Sequence, residues 1–263
     1  MLLRDPHEKV PAKTEKRILI PLPSCDFDPT EAGITWKILR SRGILVTFST
    51  AEGHPSSADS RMITGKGLGV WSSFLKADSH GLNAYLEMTQ SREFATPLAW
   101  DNIKSSQYDG IVLPGGHAPG MKAYLESPTL QKVVGEFFAS DKIVGAICHG
   151  TVLASRSRRP DGKSVLYGRK TTGLLATQEL AAWALTCLWL KNYYRTYPET
   201  VESEVVRSLE KPTDFVRGPL PVRRDSPIRL QAGFVLIDHR YISARWPGDA
   251  RASAFKFPCF QGL

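Results

Sequence analysis

Cys148 is followed directly by His149, within Ala146-Ile147-Cys148-His149-Gly150. The apolar run Lys142-Ile143-Val144-Gly145 precedes them, and Thr151 to Arg156 reads as a helix. A cysteine at such a strand-to-helix turn stands on a nucleophile elbow, with its sulfur at the end of the sheet. Unpaired N–H groups and the positive end of the following helix favour thiolate over thiol. A buried packing role is the bland alternative, because free cysteine is often fully buried. A cysteine nucleophile also needs an acid or base nearby and donors for a developing oxyanion. His149 is the adjacent imidazole, and a third group must orient it. Glu179 is the leading candidate, although a carboxylate in a first helical turn is equally explained by the helix dipole. Glu31, in Asp28-Pro29-Thr30-Glu31, carries the same two readings: a helix-start acid, or a carboxyl that shares a proton with the sulfur. Gly115-Gly116-His117 can offer backbone N–H groups to an oxyanion, since glycine permits close approach. Cys25 and His117 are placed in the same crevice, and Cys187 and Cys259 are read as packing residues.

Those residues must be held by an alternating βα pattern. Arg17 to Leu22 reads as a strand buried on both faces. A helix from Thr30 has apolar spacing at Ile34, Ile38 and Leu39, Gly43 stops it, and Ile44 to Phe48 is the second strand. Further strands are expected at Ile111–Leu113, before Cys148, at Lys170–Thr172, at Gly233–Ile237 and at Tyr241–Ala244. Helices are expected at Leu130–Ala139, Gln178–Lys191 and Glu199–Leu209. Residues 52–107 break the rhythm, with helices near Leu68–Ala77 and Leu82–Thr89, and read as an inserted cap over one end of the sheet. The aromatic residues Trp183, Trp189, Tyr193 and Tyr194 read as core by their helical spacing. Residues 1–16 read as a disordered leader, and 17–263 as a single α/β domain with a doubly wound, mostly parallel sheet. In such sheets, function collects at the carboxyl ends of the strands.

Composition narrows the classes. The chain of 263 residues is 42% hydrophobic and 23% charged, which suits a globular fold with a sizeable core. Its net charge of +8 comes from scattered Lys and Arg, with no zinc-finger or base-stacking pattern, so a nucleic-acid partner is not expected. Four separated cysteines without a C-x-x-C pair argue against a zinc site and a disulfide framework. The longest apolar run, Leu180–Leu190, is too short to span a bilayer, so no membrane partner and a cytoplasmic location are expected.

The elbow at 146–150 and Tyr108-Asp109-Gly110-Ile111-Val112-Leu113-Pro114-Gly115-Gly116-His117 resemble the nucleophile and oxyanion motifs of the ThiJ/PfpI superfamily, a flavodoxin-like, class I glutamine-amidotransferase-like family. Thr172-Gly173 followed by Glu179 is similar to the acid-bearing segment of its larger heat-shock glyoxalase branch. Where that branch has an Asn-Pro turn, this chain has Arg245-Trp246. The resemblance implies a triad of Cys148, His149 and Glu179, with Glu31 as proton partner of the thiolate. It implies an oxyanion and substrate region at Gly116, His117 and Trp246. The implied activity is glutathione-independent conversion of methylglyoxal to lactate, or related hydrolase or hydratase chemistry, on a small-molecule substrate without metal or organic cofactor. The alternative is a stress-protective chaperone or a redox sensor using Cys148. A homodimer is also implied. A glutamine amidotransferase is disfavoured, because no His-x-Glu pair follows Cys148.

Overall fold

The computed structural model describes residues 15–220 and 223–257. The leader expected over 1–16 therefore lies almost entirely outside the described residues, as does Cys259. Nine strands are present: β1 (Arg17–Pro21), β2 (Cys25–Phe27), β3 (Leu45–Thr50), β4 (Ser57–Ala58), β5 (Leu98–Ala99), β6 (Gly110–Leu113), β7 (Ile143–Ile147), β8 (Val235–Asp238) and β9 (Tyr241–Ala244). Seven form one sheet in the order β5-β3-β1-β6-β7-β9-β8, parallel except for the β8–β9 pair. Without the edge strands β5 and β8, this is the doubly wound 2-1-3-4-5 order of a flavodoxin-like fold. The central strands are apolar because both their faces are covered: Leu19, Ile20, Ile111, Leu113, Val144 and Ala146 are buried.

The helices are α1 (Pro29–Ser41), α2 (Ser60–Thr64), α3 (Ser72–Leu75), α4 (Ser79–Thr89), α5 (Arg92–Ala95), α6 (Met121–Glu126), α7 (Pro128–Ala139), α8 (Gly150–Arg156), α9 (Ala176–Leu190), α10 (Val201–Ser208) and α11 (Ala250–Lys256). One group packs α4 and α11 on α1, and another gathers α6, α7 and α10 around α8. Helix α1 starts where Asp28 accepts the N–H groups of Thr30 (2.8 Å) and Glu31 (3.0 Å), with Pro29 in the first turn. Among the described residues, no helix is long and apolar enough to cross a membrane.

Three expectations are corrected. The helix read at Leu68–Ala77 is a 3-10 turn at Gly69–Trp71 followed by the short α3, because Gly69 takes a left-handed conformation (φ 60°). The strand at Lys170–Thr172 is only an isolated bridge between Thr171 and Phe215. Side chains, rather than a ladder, tie it to β9: Ser243 accepts the Thr172 N–H (3.0 Å), and Tyr241 and Thr171 share a hydroxyl bond (3.0 Å). Of the four aromatics read as core, Trp189 is exposed, whereas Tyr194 is buried in a cluster with Met62 and Leu68, and Trp183 and Tyr193 pack against it; of α9 itself only Glu179 and Thr186 are buried.

The segment 52–107 divides in function. Its first half carries Met62, Phe74 and Leu75 to the carboxyl end of the sheet, as a cap would. Its second half joins the body, where α4 packs on α1 and β5 extends the sheet beside β3.

Candidate active site

Three strand ends converge at the switch point of the sheet. Beyond β1 lies the start of α1 with Asp28 and Glu31, beyond β6 lies Gly115–His117, and beyond β7 lies Cys148. Cys148 adopts φ 55°, in the left-handed region, which costs a non-glycine residue on the order of 1–3 kcal/mol. The bend turns its side chain into a cavity of about 280 Å³. Gly115 makes the elbow fit: a Cβ there would lie 2.6 Å from the His149 nitrogen and 2.9 Å from the Cys148 Cβ.

Of the residues singled out in the sequence, Cys148, Glu31, Gly116, His117, Glu179 and Trp246 all line this cavity. His149 stands behind the sulfur, buried, with Nδ1 3.5 Å from Sγ and Nε2 3.1 Å from the Thr196 hydroxyl. That hydroxyl donates its single proton to the His117 carbonyl (2.7 Å). It can therefore only accept from His149, which places the imidazole proton on Nε2 and a lone pair on Nδ1, facing the thiol. Burial lowers the His149 pKa to about 3, with His117 and Arg156 adding to the effect, so the ring is neutral.

Glu179 does not orient the imidazole. Its carboxylate accepts the Val201 N–H (3.0 Å) and pairs with Arg195 (3.4 Å), while Thr196 occupies the triad position. The reason is directional: α9 turns Glu179 toward the start of α10. Burial raises its pKa to about 7 against the lowering effect of Val201 and Arg195.

Glu31 is fully buried at the third position of α1, where a capping carboxylate would reach back to the helix start. Instead Oε2 accepts the Gly115 N–H (2.6 Å), and the Asp28 N–H bonds the Gly115 carbonyl (2.9 Å). Oε1 has no hydrogen-bond partner among the described residues, and the carboxyl as a whole lies near enough to Cys148 for the two side chains to interact. Burial, then Asp28, push the Glu31 pKa well up, which favours the protonated acid. With Oε2 occupied as an acceptor, a proton on this carboxyl is favoured on Oε1.

The sulfur expected at the crevice mouth is instead buried: Cys148 is 4% exposed, and burial pushes its pKa well up. The His149 backbone N–H favours the thiolate but is outweighed. Burial thus favours the thiol at rest, with the His149 Nδ1 lone pair beside it and the Glu31 carboxyl as its acidic neighbour. Among the described residues, the N–H groups of Gly116 and His117 enter no hydrogen bond and remain available as donors. Cys25 is exposed and absent from the cavity wall.

Thr196 and Arg224 were missed in the sequence. Thr196 lies in an irregular stretch between α9 and α10, and Arg224 in a loop before β8; neither position carries a motif. The Arg245-Trp246 departure separates into two roles. Arg245 is buried and forked onto Asp249 (2.8 and 3.1 Å), and it also bonds the Pro219 carbonyl, so it braces the turn. Trp246 is left in the cavity wall.

A model described as ThiJ/PfpI family-like matches residues 22–218. The chain is 26% identical over 159 residues to the glutathione-independent glyoxalase hsp3101 of Schizosaccharomyces pombe, a match covering 59% of this chain and 57% of that one. It is 36% identical over 101 residues to protein DJ-1 homolog D of Arabidopsis thaliana, covering 38% and 24% respectively. The chain thus spans at most about half the length of these curated relatives. Glyoxalase III from Candida albicans superposes with a TM-score of 0.65 at 16% identity, covering 93% of this chain and 96% of that one, which shows a shared fold. With its family-model match extending over most of its length, the chain belongs to the ThiJ/PfpI-like family.

Proposed function

We propose that this chain is a cysteine-dependent enzyme for small reactive carbonyls, converting an α-oxoaldehyde such as methylglyoxal to its 2-hydroxy acid without glutathione. The observation that carries this reading is the Cys148 sulfur at a cavity wall between the His149 Nδ1 lone pair and the Glu31 carboxyl. The similarity to proteins named as glyoxalases supports it.

Sγ adds to the aldehyde carbon, forming the S–C bond as the carbonyl π pair moves to oxygen. The thiol proton passes to Nδ1 and then to that oxygen, giving a hemithioacetal. The N–H groups of Gly116 and His117 support the transient negative charge. Nδ1 next takes the proton on the former aldehyde carbon and delivers it to the neighbouring carbon, while the hydroxyl proton moves to the neighbouring oxygen. The Glu31 O–H supports the charge that develops there. The aldehyde carbon is oxidised as its neighbour is reduced, so no external oxidant enters. Water cleaves the resulting thioester, releasing the acid and restoring the thiol.

Lactate formed from methylglyoxal by the purified protein without glutathione, and lost in Cys148→Ala, is the expected result. Absence of any aldehyde or isonitrile turnover by the wild type, or turnover unchanged in Cys148→Ala, overturns the reading. A sensor that oxidises Cys148 fits less well, because burial opposes the thiolate on which oxidation depends. A holdase is favoured by one observation: Val70, Phe74, Leu188 and Trp189 are exposed on and beside α9. Unchanged suppression of client aggregation in Cys148→Ala, lowered in Leu188→Glu, is the result expected of that second reading.

A further inference from the structure

Six buried polar atoms in the cavity wall have no hydrogen-bond partner among the described residues: Glu31 Oε1, His117 Nε2, Gln178 Oε1, Tyr194 Oη, Arg224 Nη1 and Trp246 Nε1. Leaving such groups unpaired is costly, so a concentration of them in one pocket marks where a ligand supplies partners. Two of the six can only donate. The Arg224 guanidinium lies 5.2 Å from the Trp246 ring centroid, which sets Nη1 and Nε1 in one region. Arg224 is the one Lys or Arg among the described residues lining the cavity; it makes no close ion pair among them, though its charge acts on Asp28 in the same wall. Its Nη2 is held by the Lys76 carbonyl (3.1 Å), which anchors the guanidinium while leaving Nη1 free. The same wall also carries the apolar side chains of Met62, Leu75, Leu174, Ala182 and Leu185.

We propose that the cavity selects substrates that carry a carboxylate on an apolar arm, with Arg224 and Trp246 holding the carboxylate while the reactive carbonyl lies at Cys148. A planar guanidinium matches carboxylate geometry, and an indole N–H adds a second donor. The apolar wall accommodates the carbons between the two ends. This assignment rests on the proposed carbonyl chemistry for its reactive end. The carboxylate site itself stands on the unpartnered donors alone.

The test follows alkylation of Cys148 by iodoacetamide, read by mass spectrometry of the full chain, with hexanoate or hexanamide as competitor. Hexanoate is expected to protect at a concentration about 10-fold or more below hexanamide, the range of one charged hydrogen bond. Arg224→Gln removes that preference, Arg224→Lys retains part of it, and Trp246→Phe, which keeps the ring and loses the donor, weakens it. Equal protection by acid and amide, or a preference that survives in both Arg224→Gln and Trp246→Phe, overturns the proposal. A second arm compares kcat/KM for an α-oxoaldehyde bearing a terminal carboxylate with that for its methyl ester. An acid-to-ester ratio of about 10 or more, falling toward 1 in Arg224→Gln, supports the proposal. Turnover of acid and ester at equal rates overturns the carboxylate site while leaving the carbonyl chemistry intact. Selective protection by hexanoate with no turnover of any aldehyde does the reverse.

Discussion

At the residue scale, reactivity depends on where two protons sit. The Thr196 hydroxyl spends its own proton on the His117 carbonyl and so dictates the His149 tautomer. Thr196→Val removes this acceptor and leaves the imidazole free to protonate Nδ1. Alkylation of Cys148 is expected to slow on the order of 10-fold or more, with a displaced pH profile, and Thr196→Ser is expected to restore both. A wild-type pH profile in Thr196→Val would show that something else orients the ring. Glu31 shows the same economy: the Gly115 N–H occupies Oε2, which leaves Oε1 for any proton the carboxyl holds.

At the element scale, the elbow is positioned by backbone packing and by one buried ion pair. Gly115→Ala would drive a Cβ against the backbone of His149, 2.6 Å away, where no flexible side chain can yield. A loss of about 1–3 kcal/mol is expected in urea denaturation. Arg245 and Asp249 are both almost fully buried at the end of β9. Arg245→Met leaves the Asp249 carboxylate in low dielectric without its partner, at an expected cost of about 3–5 kcal/mol. Replacing both residues by apolar ones should cost less than the single change, and a double-mutant cycle measures the difference.

At the scale of the whole molecule, burial sets the response to pH. Glu179 is held at about 7, above its ordinary 4.5, so the folded state binds its proton more tightly than the unfolded state does. Its contribution to stability is complete below about 4.5, and it falls as pH rises toward 7. The stability of the wild type minus that of Glu179→Gln is therefore expected to decline between pH 4.5 and 7 and to level off above. Chemical denaturation at a series of pH values checks this; a difference that grows with pH would contradict it. Helix α9, which carries Glu179, also shows how composition misleads. Its apolar sequence suggests core, yet the fold lays it along the cavity with only Glu179 and Thr186 buried.

The βα order, the elbow at Cys148, the Gly-Gly-His turn and the acid at the start of α1 are all legible in the residues alone. Each depends on neighbours a few residues apart, through hydrophobic period, capping chemistry or turn geometry. The packed fold alone brings Thr196, and not Glu179, to His149 and buries the Cys148 sulfur. It also turns Arg224 to the same cavity as Trp246. These outcomes depend on distances between segments far apart in the chain and on how deeply water is excluded around them. Local residue patterns encode neither quantity.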